Sequence, residues 1–345
     1  MMQISPETQL FIREHSSDDV RVLALQAKKY PDIDMPTAIT QIAGRKVAAE
    51  KIPSWWEIEK IWYPKHLSLE QCSSEITARY KARLLQGDSL TDLTGGFGID
   101  CSFLATGFKS ATYVERQEEL CEIAAHNFPV LNLNHINIKN EDGVTYLQAM
   151  SPVDCLFLDP ARRNEHGGKT VAISDCEPNV AELEELLLQK ANRVMIKLSP
   201  MLDLSLALKE LKQTQEVHIL SVNNECKELL ILLGQTSPTE ISIHCVNLST
   251  KGTQEEQHFV FTREQEQCSE CTYTDSLETY LYEPNASLLK AGAFRSIAAA
   301  YPVRKLHPNS HLYTSDTFIE NFPGRIFRIV NQCSFNKKEV KENLA

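Results

Sequence analysis

The stretch 90–100, Leu-Thr-Asp-Leu-Thr-Gly-Gly-Phe-Gly-Ile-Asp, constrains the fold of this chain more than any other. A short strand is expected to end at Asp92 and a helix to open near Gly98. Gly95, Gly96 and Gly98 carry no Cβ, so the turn between them can bend sharply and let a ligand come close to the backbone. A turn of this kind presents free amides and the positive end of a helix dipole. Asp92 stands where a carboxylate can accept hydrogen bonds from a ligand or oppose its positive group. A plain strand-to-helix turn would use the same glycines, so the loop gains meaning only from what surrounds it.

Strands and helices then alternate. Residues 111–115 read as a second strand, ending in Glu115 about 20 residues past the glycines, where a carboxylate can hold a ribose diol. A helix is expected over 117–127 and a third strand over 136–139. The segment after it, Asn140-Glu-Asp-Gly143, offers Asp142 either to a nucleoside amino group or to the N-terminus of the next helix. Residues 153–159 are apolar enough for a central strand and end in Asp159-Pro-Ala-Arg-Arg163. A polar loop with His166-Gly-Gly-Lys-Thr170 is long enough to be a lid. A helix over 178–190, a strand over 193–198, a helix over 201–211 and strands over 217–222 and 227–233 complete the pattern. Seven strands with helices between the early ones predict a doubly wound α/β domain over 67–234. Its ligand belongs at the C-terminal strand ends, where Asp92, Glu115, Asp142 and Asp159 fall.

The flanks differ in composition. Residues 1–66 read as short helices forming a cap, with Ser16 or Ser17 as a candidate N-cap of the second. All three tryptophans lie in 53–64, where Trp55, Trp56, Trp62 and Tyr63 could stack on bases or anchor the packing between subdomains. A helix begun at Ser73 or Ser74 is expected to run to about Leu85 and to lead into the glycine-loop strand. Gln71, Ser73, Ser74 and Thr77 are its candidate polar contacts to the ligand. Past Gly234 the chain reads as a small α+β domain, 235–345, with short strands at 241–246, 258–261 and 324–330 and one helix over 285–300.

Charge and cysteine usage narrow the function classes. A net charge of -11 argues against nonspecific coating of nucleic acid. From Leu281 onward, however, nine Lys/Arg face five Asp/Glu, a local +4 that suits either an RNA-facing surface or an ordinary solvated face. Ten scattered cysteines suit reduced thiols in a cytoplasmic protein. Cys268-Ser-Glu-Cys271 with His258 lacks a fourth zinc ligand at sensible spacing, so no metal is expected. No apolar run approaches the roughly 18 residues of a membrane span, so no membrane partner is expected either.

Asp92-Leu-Thr-Gly-Gly-Phe-Gly98, Glu115, Asp142 and Asp159-Pro160 together resemble the motif series of Rossmann-like methyltransferases that use S-adenosylmethionine. The loop is similar to that of trimethylguanosine synthase and several RNA methylases. Leu69-Glu-Gln-Cys-Ser-Ser-Glu-Ile-Thr-Ala-Arg-Tyr-Lys81, Asp159-Pro-Ala-Arg-Arg163, Lys197-Leu-Ser-Pro-Met-Leu-Asp203 and Tyr282-Glu-Pro-Asn-Ala-Ser287 carry a closer resemblance. It is to bacterial methyltransferases with a ferredoxin-like and a THUMP-like C-terminal part, and the THUMP-like segment would continue beyond Ala345.

The resemblance implies a seven-stranded Rossmann-like sheet, S-adenosylmethionine as cofactor, and tRNA or rRNA as substrate. It implies cofactor contacts from Gln71, Ser74, Asp92, Thr94, Gly96, Gly98, Glu115, Asp142 and Asp159. Asp159, Pro160 and Arg162 would lie at the methyl group. Two departures bear on the substrate. Amino-directed methylases usually carry Asp/Asn-Pro-Pro and an aromatic residue, where this chain has Ala161 and Arg162. Uracil-C5 methylases need a cysteine nucleophile, for which Leu198-Ser-Pro200 offers none and Cys176 is the one substitute. The expected activity is direct in-line methylation of an RNA base. A small-molecule or protein substrate, a noncatalytic cofactor- or RNA-binding module, and a nicotinamide dehydrogenase are the alternatives. The last lacks the third glycine of its loop.

Overall fold

The computed structural model describes residues 4–162, 172–236, 238–250 and 256–333, with 336, 339 and 341. Arg163, the 166–170 loop and most of the 336–345 tail lie outside them. All seven strands expected from the apolar runs form. They are β1 (Ser89–Asp92), β2 (Ser110–Glu115), β3 (Ile136–Asn140) and β4 (Val153–Leu158), then, past the two-residue strands β5 (Ala161–Arg162) and β6 (Cys176–Glu177), β7 (Ala191–Leu198), β8 (Thr214–Val222) and β9 (Glu225–Gly234). The result is a mixed α/β fold with a large, mostly parallel sheet of Rossmann-like type, a helical N-terminal part and a small antiparallel C-terminal sheet.

The chain divides into two compact units. The first comprises Met1–Lys197, Ser205–Gln213 and Leu232–Ser237. Its strands run in the order β7-β4-β1-β2-β3, every neighbouring pair parallel. The chain leaves β1 toward β2 and β3, then returns to β4 on the other side of β1. The strand order therefore reverses between β1 and β4, the place where sheets of this kind take their ligands, at the carboxyl ends of the strands.

The N-terminal helices Pro6–Glu14, Val20–Leu25 and Met35–Lys51 bury Phe11, Leu23, Met35, Ala38 and Ile42 in one cluster. The second helix is capped by Asp19, whose carboxylate accepts the Arg21 N–H at 2.8 Å, and not by Ser16 or Ser17. A carboxylate caps as well as a hydroxyl and adds charge at the positive end of the dipole. A second cluster joins Ala48, Ile52, Trp55, Ile61, Tyr63 and Leu69 to Phe97 and Ile99 of the glycine loop. Trp55 meets Phe97 edge-on at 5.2 Å, and Trp62 stacks on His126 at 3.7 Å. Of the aromatic residues in 53–64, therefore, Trp55, Trp62 and Tyr63 pack, while Trp56 is exposed beside Arg45. The helix expected to reach Leu85 spans Glu75–Ala82.

The second unit comprises Leu198–Leu204, Thr214–Ile231 and Pro238–Ala345. β8 and β9 are neighbours joined through Asn223 and Asn224, with φ of 51° and 66°. Two left-handed residues make the tight turn whose twist suits a hairpin, and asparagine tolerates that region. β10 (Ser242–Leu248) runs parallel to β8, and β11 (Glu256–Thr262) antiparallel to β10. The 241–246 and 258–261 strands thus extend the row of β8 and β9. The small antiparallel sheet is instead built from β12 (Tyr280–Pro284), β13 (Arg304–Lys305), β14 (Tyr313–Ser315) and β15 (Gly324–Arg328), in the order β13-β14-β12-β15. The single helix expected over 285–300 is two, Ala286–Ala291 and Ser296–Ala300. Gly292, at φ 77°, caps the first in the left-handed conformation and turns the chain away.

Candidate active site

The floor of the site is the turn after β1. Leu93 N–H donates to the Phe157 carbonyl at 3.0 Å, Gly95 N–H to the Val114 carbonyl at 2.8 Å, and Gly98 N–H to the Gly95 carbonyl at 2.9 Å. These bonds pin the loop to β4 on one side and β2 on the other. Gly95 packs flat on the Tyr113 ring, where a Cβ would fall 2.2 Å from a ring carbon. Gly96 and Gly98 sit at φ 55° and 87°, a region costly for any residue with a Cβ. The Tyr113 hydroxyl donates to the Gly96 carbonyl at 2.5 Å and holds the turn open.

Three carboxylates ring this floor from successive strand ends. Asp92 is 1% exposed. Its Oδ1 accepts the Thr94 N–H at 2.9 Å, while its buried Oδ2 has no hydrogen-bond partner among the described residues. Burial, and next to it the Asp100, Asp159 and Glu115 charges, push its carboxyl well above the usual range against the pull of the Thr94 amide. Glu115 reaches back from β2, accepting Gly96 N–H at 2.9 Å and Gln117 N–H at 2.8 Å. Asp142, beyond β3, caps the helix Gly143–Ala149 by accepting the Val144 and Thr145 amides at 3.0 Å each through Oδ1. Oδ1 of Asp142 is therefore committed to the cap.

The β4 side is built differently. Asp159 N–H donates to Thr94 Oγ1 at 2.6 Å, which ties the two loops together. Its Oδ2 meets Lys197 Nζ, from the end of β7, at 2.5 Å. Behind that pair lies a buried network. Lys81, fully buried, reaches Asp100 Oδ1 at 2.8 Å and Ser73 Oγ at 2.7 Å. Ser73 donates to Asp100 Oδ2 at 2.7 Å and also accepts from Lys197 Nζ at 3.1 Å. Lys197 Nζ lies 3.5 Å from Asp100 Oδ2. Burial would raise the Asp100 carboxyl, but Lys81 and Lys197 outweigh it and hold the group below its usual range. Asp159 is the reverse: burial raises its carboxyl, and Lys197 only partly offsets it.

Of the other residues singled out from sequence, Pro160 is buried, and Ser74 opens the helix Glu75–Ala82 with its hydroxyl 3.2 Å from Thr77 Oγ1. Gln71 is exposed at the end of the helix His66–Gln71. Arg162 pairs through its backbone with Cys176 in the β5–β6 ribbon, and its side chain is outside the described residues. Cys176 is 2% exposed, too enclosed to attack a base. Cys268, Cys271 and His258 do not form a metal-sized group among the described residues.

Lys81, Asp100 and Lys197 carry the charge of the network, and sequence reading did not single them out as site residues. Two signals were present. Lys81 falls three and four residues past Ala78 and Thr77, on the buried face of its helix. Lys197 interrupts the apolar run Val194-Met-Ile-Lys-Leu198 of a central strand, where a lysine is rarely buried without a partner.

A crystal structure described as a "putative methyltransferase" from Porphyromonas gingivalis W83 superposes on this chain with a TM-score of 0.86. It is 34% identical over 99% of this chain and 86% of that one. This chain belongs to that methyltransferase family. The profile of a ferredoxin-like domain matches residues 280–323, which hold β12, β13 and β14 of the small sheet. Two other solved structures overlay only in part. An rRNA methylase from Streptococcus thermophilus is 14% identical over 46% of this chain and 93% of its own, with a TM-score of 0.33. A "putative methyltransferase" from Streptococcus mutans in complex with SAH gives 14%, 46%, 96% and 0.34. At that depth neither overlay bears on substrate or cofactor. No curated protein matches the sequence.

Within the methyltransferase fold the strand ends can be tested against a positively charged nucleoside cofactor. The orphaned Asp92 Oδ2 offers a buried acceptor at the mouth of the glycine loop. The loop itself carries no side chain at Gly95, Gly96 or Gly98 to block close approach, and Glu115 adds a second carboxylate from β2. The residues present fit such a group.

Proposed function

We propose that this methyltransferase uses S-adenosylmethionine to methylate a base nitrogen of RNA by direct in-line displacement. The observation that supports it most is the row of Asp92, Glu115 and Asp159 on the ends of the adjacent parallel strands β2, β1 and β4 around a Cβ-free loop. In this reading Asp92 faces the positive end of the cofactor, with Thr94 beside it. Gly96 and Gly98 admit its backbone-close portion, Glu115 holds the ribose and Asp142 Oδ2 faces the adenine. Gln71 and Ser74 are assigned to the same ligand.

The cofactor supplies an electrophilic methyl group, so the protein's task is alignment and disposal of one proton. Asp159 would take the proton that a base amine must give up as its nitrogen gains the methyl group. A carboxyl raised by burial is a better proton acceptor than an exposed one. Lys197, at 2.5 Å, fixes its orientation. Pro160 stiffens the loop, and Arg162, at the end of β5, is assigned to a substrate phosphate. The +4 charge of 281–345 favours RNA as the partner.

The test is transfer of labelled methyl from S-adenosylmethionine to total RNA, with and without RNase. Label lost with RNase supports the reading. RNase-resistant label would move the substrate to a protein or small molecule. Tight S-adenosylhomocysteine binding with no transfer to any fraction would leave a noncatalytic module.

A further inference from the structure

Three histidines and a glutamate meet on one face of β8, β10 and β11, within the second unit. Glu216 and His218 are two residues apart on β8 and so share a face. His244 is registered against His218 across the parallel β8–β10 ladder. His258 is registered against Val246, two residues from His244, so it projects to the same side. Donor atoms of Glu216, His218 and His244 all lie within 4.8 Å of one another. His218 Nε2 is 3.3 Å from Glu216 Oε2, and His244 Nδ1 is 3.1 Å from His258 Nε2. His218 is 2% exposed, and the His218 and His244 rings stack at 4.3 Å.

We propose that Glu216, His218 and His244 form a binding site for a divalent transition-metal ion of the zinc class, with His258 bracing His244. Two imidazoles and a carboxylate are a common protein donor set for zinc, one position being left to water. At metal–nitrogen distances of roughly 2.0–2.1 Å, ligand atoms around a tetrahedral ion sit about 3.3 Å apart. The Glu216–His218 edge already has that length. Donor atoms of His218 and His244 lie within 4.8 Å of each other, so a bound ion would draw the two stacked rings' nitrogens closer together. The partner contact of His258 with His244 is the kind that fixes ring orientation in metal sites. Such an ion would clamp two adjacent strands. The site is independent of the methyl-transfer reading and can fail or stand without it.

The full chain, freed of metal with a chelator and kept reduced, is titrated with Co2+ and then with competing Zn2+. One equivalent of cobalt with tetrahedral visible bands, no thiolate charge-transfer band, and displacement by zinc is the expected result. His244→Asn and Glu216→Gln should each weaken binding at least about tenfold, and His258→Ala by about tenfold through ring orientation. Cys268→Ser with Cys271→Ser should change nothing. Circular dichroism of each variant separates ligand loss from misfolding, and His244→Gln replaces any variant that does not fold. No cobalt uptake, or uptake carried by a thiolate band and unaffected by the histidine variants, overturns the site.

Discussion

The two sides of the site hold their carboxylates by different means. On the β1–β2–β3 side, Asp92, Glu115 and Asp142 are held by backbone amides. On the β4–β7 side, Asp100 and Asp159 are held by the ammonium groups of Lys81 and Lys197. Amides are fixed dipoles that cost the fold nothing further, because they need acceptors in any case. Buried ammonium groups have been stripped of water, and they are tolerable only while each keeps its anion. The first side can thus serve a ligand with little penalty to the fold, whereas the second ties the chemistry to the core.

The sharpest way to break this contrast is to remove the anion of the lysine side. Asp100→Ala takes away the carboxylate that Lys81 pairs with in the core and leaves Lys197 with Asp159 alone. It is expected to cost about 3–5 kcal/mol in urea unfolding. Lys81→Met paired with Asp100→Leu should cost clearly less than Asp100→Ala alone, because it removes both charges together. An equal loss in both would show that the lysine side is packing and not electrostatics.

The next effect falls on catalysis. Asp159→Asn keeps the size and the backbone contact to Thr94 but cannot accept the proton. Methyl transfer should drop by about a hundredfold or more, with S-adenosylhomocysteine affinity nearly unchanged. Lys197→Met should lower transfer in the same direction and also reduce stability. Unchanged transfer in Asp159→Asn would remove the proton-acceptor role.

The same contrast explains what could be read from sequence. Gly95-Gly-Phe-Gly98 with Glu115 was legible because amide-held carboxylates arise from local spacing, as with Asp92 and Thr94, or from the fixed length of one strand-helix-strand unit, as with Glu115 and Gly96. The seven strands were legible because each is an apolar run of ordinary length. Lys197 and Ser73, 124 residues apart, were not, since no periodicity links the last residues of β7 to the start of a helix before β1. Nor was the pairing of β10 with β8. An alternating 242–248 strand suits either sheet, and only its tertiary neighbours decide. The broken helix at Gly292 was a local signal, one glycine inside an otherwise helical pattern.

Asp92→Asn sharpens the amide side through its pH dependence. The Asp92 carboxyl is raised in the folded protein, so the folded state holds its proton more tightly than the unfolded state. That contribution is present below the ordinary aspartate range and is lost as pH rises toward the folded value. Above the ordinary aspartate range the buried carboxyl is therefore a standing cost, and Asp92→Asn should stabilise the fold at neutral pH. The advantage should vanish in acid. Cofactor-product affinity should fall in the same variant, which would mark Asp92 as a charge kept for a ligand. A variant less stable than wild type at pH 7 would contradict the assigned direction.

The smallest effects separate the two oxygens of Asp142. Asp142→Ala removes the cap on Gly143–Ala149 and should cost about 1 kcal/mol of stability. Asp142→Asn keeps a cap of nearly equal quality, so its stability should stay within a few tenths of a kcal/mol of wild type. Any change in S-adenosylhomocysteine affinity in Asp142→Asn would therefore report a contact of the carboxylate with the ligand and not the cap. Isothermal titration of both variants against the wild-type chain decides it. If only Asp142→Ala binds more weakly, the residue acts by shaping the helix start. If Asp142→Asn binds as weakly as Asp142→Ala, the charge itself meets the ligand. The amide side then serves a ligand through the atoms that its own backbone leaves free.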